Sequence, residues 1–262
     1  MTRRVACVFA HPDDDTYGVG GSLGLHAVDE DLEITVIMTT SGEAGQIADP
    51  SLATRRTLGR VREAEDLASW RVLGLEPRIH FLRHADGTVS TVAPEKLVAR
   101  FVDLLLEARP DLVITFGPEG ITGHEDHIAV GRAATEAFHQ ARAAGRGEGA
   151  FRRLLHCALA AGRLERFNEL LRQRGMEAMD PTQPFVPRGV PDATIGVSVD
   201  CTGLWERKLE ALRQHRTQGE MEDIPFDLYP LVLGSEEYVV AWPERSPGDP
   251  VLADVFEGLP GS

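Results

Sequence analysis

The chain has 262 residues, 42% of them hydrophobic, and a formal net charge of −14. That length and apolar content suit one large α/β domain, and the charge argues against nucleic acid or an anionic membrane surface as a partner, leaving neutral or cationic small molecules. Three widely spaced cysteines, Cys7, Cys157 and Cys201, form no CxxC pair and no disulfide framework, which points to a reducing cytoplasm. Only six apolar residues precede His11, too few for the apolar region of a signal peptide. No window approaches the roughly 20 apolar residues of a membrane span.

Val5 to Ala10 is a continuous apolar run, as expected of a strand buried on both faces of a parallel sheet. It stops on His11-Pro12-Asp13-Asp14-Asp15, where the proline removes a donor and holds His11 extended. One imidazole and three carboxylates thus gather at a strand's C-terminal end, where open α/β sheets place ligands. Adjacent acids repel unless a cation or hydrogen bonds compensate. A divalent metal is the simplest compensation; a solvated acidic loop with helix-capping aspartates is the plain alternative. Gly18, Gly20 and Gly21 follow, and Val19 to Val28 reads as a helix. Ile34 to Thr40 is a second β-branched strand, ending in the loop 41–46. Over 56–73, Leu58, Val61, Ala64, Leu67, Ala68 and Val72 recur at helical spacing, and Gly74 terminates the helix. Arg62 and Glu65 lie near its apolar face, as a surface ion pair or as functional groups. Ile79 to Leu82 reads as a strand, with Asp86-Gly87 the turn after it.

Pro94 to Ala108 is an amphipathic helix and Asp111 to Phe116 the fourth strand. A second loop of ligand-binding type, 117–123, runs into His124-Glu125-Asp126-His127 and the helix Ile128 to Arg142. Residues three apart share a helix face. The alternation of strand and helix predicts a parallel sheet with right-handed crossovers. In the common doubly wound orders the first and fourth strands are neighbours at the switch point, so both His/Asp clusters meet in one cleft. Two imidazole nitrogens and a carboxylate oxygen with a fourth position open make a catalytic zinc site; the remaining carboxylate and histidine can handle protons, which is metal-assisted hydrolysis. Spacing alone does not say which acid binds the metal.

Further on, 143–149 is a glycine-rich loop, His156 to Ala160 a strand and Leu164 to Arg174 a helix. The stretch 181–191 holds four prolines and reads as an irregular surface loop. Thr194 to Val199 is a strand, and Thr202 to His215 a helix closed by His215-Arg216-Thr217-Gln218. His215 there serves a helix C-terminus that favours cations or the active site. Tyr238 to Trp242 is the last strand, and the Pro-, Gly- and Ser-rich tail beyond Pro243 is expected to be loose. Substrate specificity is expected in the motif-free loops 43–55, 86–92 and 143–192.

Ala10-His11-Pro12-Asp13-Asp14-Asp15 resembles the AHPDDE motif of the LmbE/PIG-L family of zinc-dependent N-deacetylases, and His124-Glu125-Asp126-His127 resembles that family's HxDH motif. Weaker similarities run through Arg62-Glu63-Ala64-Glu65, Leu73-Gly74, Phe81-Leu82 and Asp86-Gly87, and from Lys208 to His215, Thr217 and Gln218, so the resemblance covers about residues 4–220. It implies a Rossmann-like three-layer α/β sandwich with a mostly parallel sheet, forming a single domain over 1–262: a core carrying the metal motifs over 1–142 and a C-terminal elaboration over 143–262. It implies removal of acetyl from an N-acetyl amino sugar of the N-acetylglucosaminyl type. It also implies His11, Asp14 and His127 as metal ligands, Asp13 as general base, His124 as the group that stabilises the oxyanion or protonates the leaving amine, and Asp126 as the residue that orients His124. Arg62, Asp86 and His215 are the implied substrate contacts. The metal is Zn2+, with Fe2+ the alternative that two imidazoles and a carboxylate also accept; the protein is a monomer or a homo-oligomer. Asp15 departs from the family's usual Glu and is one methylene shorter; Glu125 replaces a common Pro at a variable position. An amidase cleaving thiol-sugar conjugates would use the same residues. A nucleotide-binding Rossmann protein using Gly18-Val19-Gly20-Gly21 is the alternative of another class, although that spacing is not G-x-G-x-x-G and the acids would repel phosphate.

Overall fold

The run Val5-Ala6-Cys7-Val8-Phe9 has almost no exposed surface, and it forms the middle of a seven-stranded sheet. The computed structural model describes residues 2–144, 149–219, 221, 224–246 and 248–260. Five strands are parallel: β1 (Arg3–Phe9), β2 (Leu32–Thr40), β3 (Arg78–His84), β4 (Leu112–Phe116) and β5 (Arg153–Ala158). Two more extend it: β7 (Ser235–Trp242) pairs antiparallel with β5, and β6 (Val197–Asp200) pairs antiparallel with β7, giving the order β3-β2-β1-β4-β5-β7-β6. The order reverses direction between β1 and β4, so their C-terminal ends flank the switch point where such sheets bind ligands. Val8 pairs with Thr115 there.

The helices are α1 (Asp14–Gly24), α2 (Leu58–Leu73), α3 (Pro94–Ala108), the single turn α4 (Gly120–Gly123), α5 (Glu125–Ala144), α6 (Ala161–Gln173), α7 (Trp205–Leu212) and α8 (Tyr229–Leu233). Right-handed crossovers put α1 and α2, which carry the chain one way along the sheet, on the face opposite α3 and α5, which carry it back. The packing agrees: α3 lies on α5, while α7 joins α1 and α2. This is the expected three-layer, mostly parallel α/β sandwich.

Two expectations are corrected. The first helix begins at Asp14, not Val19, so Asp14 and Asp15 sit in its first turn, where carboxylates are favoured by the backbone dipole. Despite its composition, the C-terminal tail is docked over its described residues 252–259: Val255 and Phe256 are buried at 0% and 1% exposure. Arg153 donates to the carbonyls of Val255 and Glu257, both at 2.8 Å, and the Arg3 guanidinium lies 5.1 Å from the Phe256 ring centre. Two apolar side chains outweigh the disorder-prone residues around them, because each removes its surface from water. The helix α8 has no counterpart in the sequence reading. Of the loop expected over 143–149, residues 145–148 lie outside the described residues.

Candidate active site

His11 stands just past the end of β1, and α5 opens after a tight loop from β4, bringing His124 and His127 beside it. His11 Nδ1 is 3.1 Å from His127 Nε2. The Asp14 carboxylate completes the triangle, with Oδ2 at 3.4 Å from His11 Nδ1 and Oδ1 at 3.3 Å from His127 Nε2. A tetrahedral ion with bonds of ~2.0–2.1 Å spaces its donors ~3.3–3.4 Å apart, so this donor set fits a zinc-sized cation. The far nitrogens of both rings point at other groups. His127 Nδ1 lies 3.1 Å from the Gly120 carbonyl and its ring stacks on Phe116; donation to a carbonyl fixes the proton on Nδ1 and leaves Nε2 with a lone pair. His11 Nε2 faces two carboxylates, Asp86 Oδ1 at 3.0 Å and Asp126 Oδ2 at 3.5 Å; neither is aligned for a hydrogen bond, so they act on the ring through their charge.

The charges follow from the same contacts. Burial disfavours a cation at His11, but Asp126, Asp14 and Asp86 outweigh it and hold its pKa well above the ordinary value. Burial dominates at His127 and lowers its pKa. Asp14 is held below the usual carboxylate range despite burial, by His127 and His11. Asp86 is held down to about 2, burial opposing, by His11 and the Ala44 backbone N–H.

The three consecutive aspartates diverge. Asp14 faces the histidines. Asp13, in a left-handed backbone conformation at φ 121°, turns its Oδ2 to Arg62 Nη2 at 2.6 Å. Asp15 is fully buried, accepts the Trp70 indole N–H at 2.7 Å and has its pKa pushed up by burial to about 6. The repulsion expected among them is therefore relieved by separate partners.

Arg62 is buried, not a surface ion pair. Besides Asp13 it donates to the carbonyls of Pro12 at 2.6 Å and Gly42 at 2.9 Å. Its guanidinium fills the space a Cβ at Gly42 would need, where φ is 65°; glycine is required there for both reasons. Asp86 accepts Ala44 N–H at 2.8 Å through its second oxygen. Asp126 accepts the N–H groups of Gly87 at 2.8 Å and Val89 at 2.9 Å, which pins the turn carrying Asp86. Asp126 meets His124 through its backbone, its N–H donating to His124 Nδ1 at 3.1 Å. That bond leaves the proton of a neutral His124 on Nε2, and burial and His11 lower its pKa. His215 is fully buried, its Nε2 3.1 Å from Thr16 Oγ1, with its pKa pushed down by burial to about 3. It packs under α1 and presents no surface to a ligand. Of the sequence-derived site residues, His11, Asp13, Asp14, Arg62, Asp86, His124, Asp126 and His127 come together, and His215 lies behind them.

Two members of this network escape the sequence reading. Glu43 accepts the Asp86 N–H at 2.9 Å. Asp66, fully buried against Asp15, is pushed far above the carboxylate range by burial and by that neighbour. Its signal is a polar residue inside the apolar stripe of α2, one turn from Arg62 and one from Trp70. The nucleotide reading is overturned. Gly18, Gly20 and Gly21 lie within α1, and the N–H groups of Gly21 and Ser22 are taken by Glu236 at 2.7 and 2.8 Å, so these glycines form no phosphate-binding loop.

Comparison with known proteins identifies the family and the fold. The family described as PIG-L: GlcNAc-PI de-N-acetylase matches residues 6–138. A protein of Geodermatophilus obscurus named 1D-myo-inositol 2-acetamido-2-deoxy-alpha-D-glucopyranoside deacetylase is 30% identical over 295 aligned positions covering 99% of each chain. Among solved structures, the N,N'-diacetylchitobiose deacetylase of Pyrococcus horikoshii superposes with a TM-score of 0.59 at 22% identity, over 98% of this chain and 86% of that one. GalB, the 4-carboxy-2-hydroxymuconate hydratase of Pseudomonas putida, gives 0.61 at 17% identity, over 95% and 100%. A deacetylase and a hydratase thus share this fold, so the fold by itself does not select the reaction.

Proposed function

The chain belongs to the PIG-L family of de-N-acetylases, and from that premise we propose that it is a metal-dependent hydrolase that removes acetyl from an N-acetylglucosaminyl compound. The observation that carries the reading is the triangle of His11 Nδ1, His127 Nε2 and an Asp14 carboxylate, 3.1–3.4 Å on a side. These three would hold the ion, Zn2+ or alternatively Fe2+. An ion held there supplies a Lewis acid that polarises an amide carbonyl and acidifies water.

The remaining residues divide the proton work. Asp13, held in place by Arg62, takes a proton from the attacking water at its carboxylate. His124 directs Nε2–H at the developing oxyanion, because Asp126 N–H occupies Nδ1, and Asp13 passes the proton it has taken to the departing nitrogen. Asp86 and Asp126 act on the His11 ring through their charge. Arg62 is spent on Asp13 and two carbonyls, so its part is to position the base. Asp86 contacts substrate, in this reading, only at the edge it leaves beside His11. The amino-sugar substrate follows the named relative. A cytoplasmic location is supported by the three free, buried cysteines, and among the described residues no helix is long and apolar enough to cross a membrane.

The test is to load the purified chain with Zn2+, supply N-acetylglucosaminyl-inositol and simpler N-acetylglucosaminides, and measure freed amine and acetate. Equal amounts of both, abolished by chelation, are expected. Metal-free protein that stays equally active would overturn the metal-dependent reading.

A further inference from the structure

A cavity of about 360 Å3 opens beside Asp14 and His127 and runs away from the polar cluster. Its wall is mostly apolar, with Phe9, Phe116, Cys157, Leu159, Met179 and Val232 among its residues. The charged groups along it are already satisfied by the protein. Lys208 Nζ bonds Glu236 at 2.5 Å and the Tyr17 carbonyl at 2.8 Å. Arg163 donates to the carbonyls of Leu231 and Val232 at 2.9 and 2.8 Å, and Glu237 accepts the Ala160 N–H at 2.7 Å. A second cavity of about 90 Å3 shares Leu159, Arg163, Met179 and Val232 and carries the apolar wall on to Leu164 and Phe167. Asp13, Arg62, Asp86, His124 and Asp126 line neither space.

An acetyl group has three non-hydrogen atoms. At ~30 Å3 for each atom of water size, the larger cavity holds roughly a dozen. Sugar hydroxyls would meet few open partners in it and would lose their hydration; they fit the polar side of the site. The cavity begins at the two proposed ligands Asp14 and His127, beside the ion that would polarise the scissile carbonyl. We propose that it receives the acyl substituent, and that the preferred substrates are N-acyl amino sugars bearing an unbranched alkyl chain longer than acetyl. This rests on the amide-hydrolase reading above and extends its substrate class from acetyl to longer acyl groups. The reaction stays a hydrolysis: water's oxygen bonds to the acyl carbon, the C–N bond breaks, the water protons end on the amine and the acid, and no other reactant is needed.

The experiment compares the zinc-loaded full chain on N-acetyl-, N-butyryl-, N-hexanoyl- and N-octanoylglucosamine, and on N-acetylglucosamine carrying an octyl aglycone, by amine release. Each methylene that enters apolar surroundings is worth about fourfold, so the four extra methylenes of hexanoyl set a ceiling of about 250-fold, and kcat/KM should rise at least about tenfold from acetyl to hexanoyl. Ala158→Phe fills the cavity from the end of β5, and Val232→Phe fills it from α8 should the first variant not fold; either should lower the hexanoyl-to-acetyl ratio about tenfold. Acetyl as the fastest acyl group, or a ratio indifferent to both variants, overturns the proposal while the deacetylase reading stands. A rate that follows the octyl aglycone and not the acyl chain overturns the acyl assignment. No turnover of any substrate overturns the deacylase reading and this proposal together.

Discussion

On the β1–β3 side of the site the polar side chains hold one another: Arg62 is fixed by Asp13 and two carbonyls, Asp86 by Ala44 N–H with His11 beside it, and Asp126 by two backbone N–H groups, while His11 Nε2, Arg62 Nε and both Asp66 oxygens are buried without a hydrogen bond among the described residues. On the β5–β7 side the charges are paired off behind an apolar wall, and space is left open. The first region is preorganised, so it can stabilise developing charge without rearranging at the moment of reaction. The second discriminates by size and hydrophobicity, which binding can do only by a modest factor per methylene. Chemistry and selectivity therefore depend on different residues, and substitutions should separate them.

The largest effect is expected on the preorganised side. His127→Ala removes one corner of the donor triangle, and the chain should lose both its bound ion and its turnover, as read by elemental analysis and acetate release. On the apolar side, Lys208→Met should leave turnover chemistry in place but strand Glu236 as a buried carboxylate among the N–H groups of Gly21 and Ser22. Breaking one partner out of a buried pair costs about 3–5 kcal/mol, measurable as a lowered urea midpoint; an unchanged midpoint would mean the pair does not anchor α1. The smallest effect lies outside both regions. His26 bonds Asp254 at 2.8 Å and Asp29 at 2.8 Å, and Asp254, against burial and with help from Asp29, raises its pKa. A folded pKa above the unfolded value of about 6.5 gives stability that is complete below that value and fades as pH climbs through the folded one. The Tm advantage of the wild-type chain over His26→Gln should shrink from pH 6 to pH 9. A gap that widens with pH would contradict the sign.

The two regions are also unequally legible in the sequence. The buried run ending in His11-Pro12-Asp13 and the pair His124 and His127 after the fourth strand carry their chemistry in contiguous residues, and strand order alone brings them together. The separate fates of Asp13, Asp14 and Asp15 are hidden, because three adjacent carboxylates look alike until the first turn of α1 points them in different directions. Arg62 looks like half of a surface pair unless its stripe-mates Asp66 and Trp70 are weighed with it. The apolar cavity is drawn from β1, β4, β5, α8 and the loop around Met179, which no local period connects. The docked tail rests on Val255 and Phe256, two residues in a stretch whose composition argues for disorder.

In the proposed mechanism neighbouring carboxylates have split roles, Asp14 holding the ion and Asp13 moving the proton. Elemental analysis and kcat of Asp13→Asn and Asp14→Asn, prepared side by side in Zn2+, test that division directly. Asp13→Asn should keep about one ion per chain and lose on the order of 10²–10⁴ in kcat, the usual worth of general acid–base catalysis; Asp14→Asn should lose the ion. An Asp13→Asn protein that comes out metal-free, beside an Asp14→Asn protein that retains its ion and is merely slow, would contradict it.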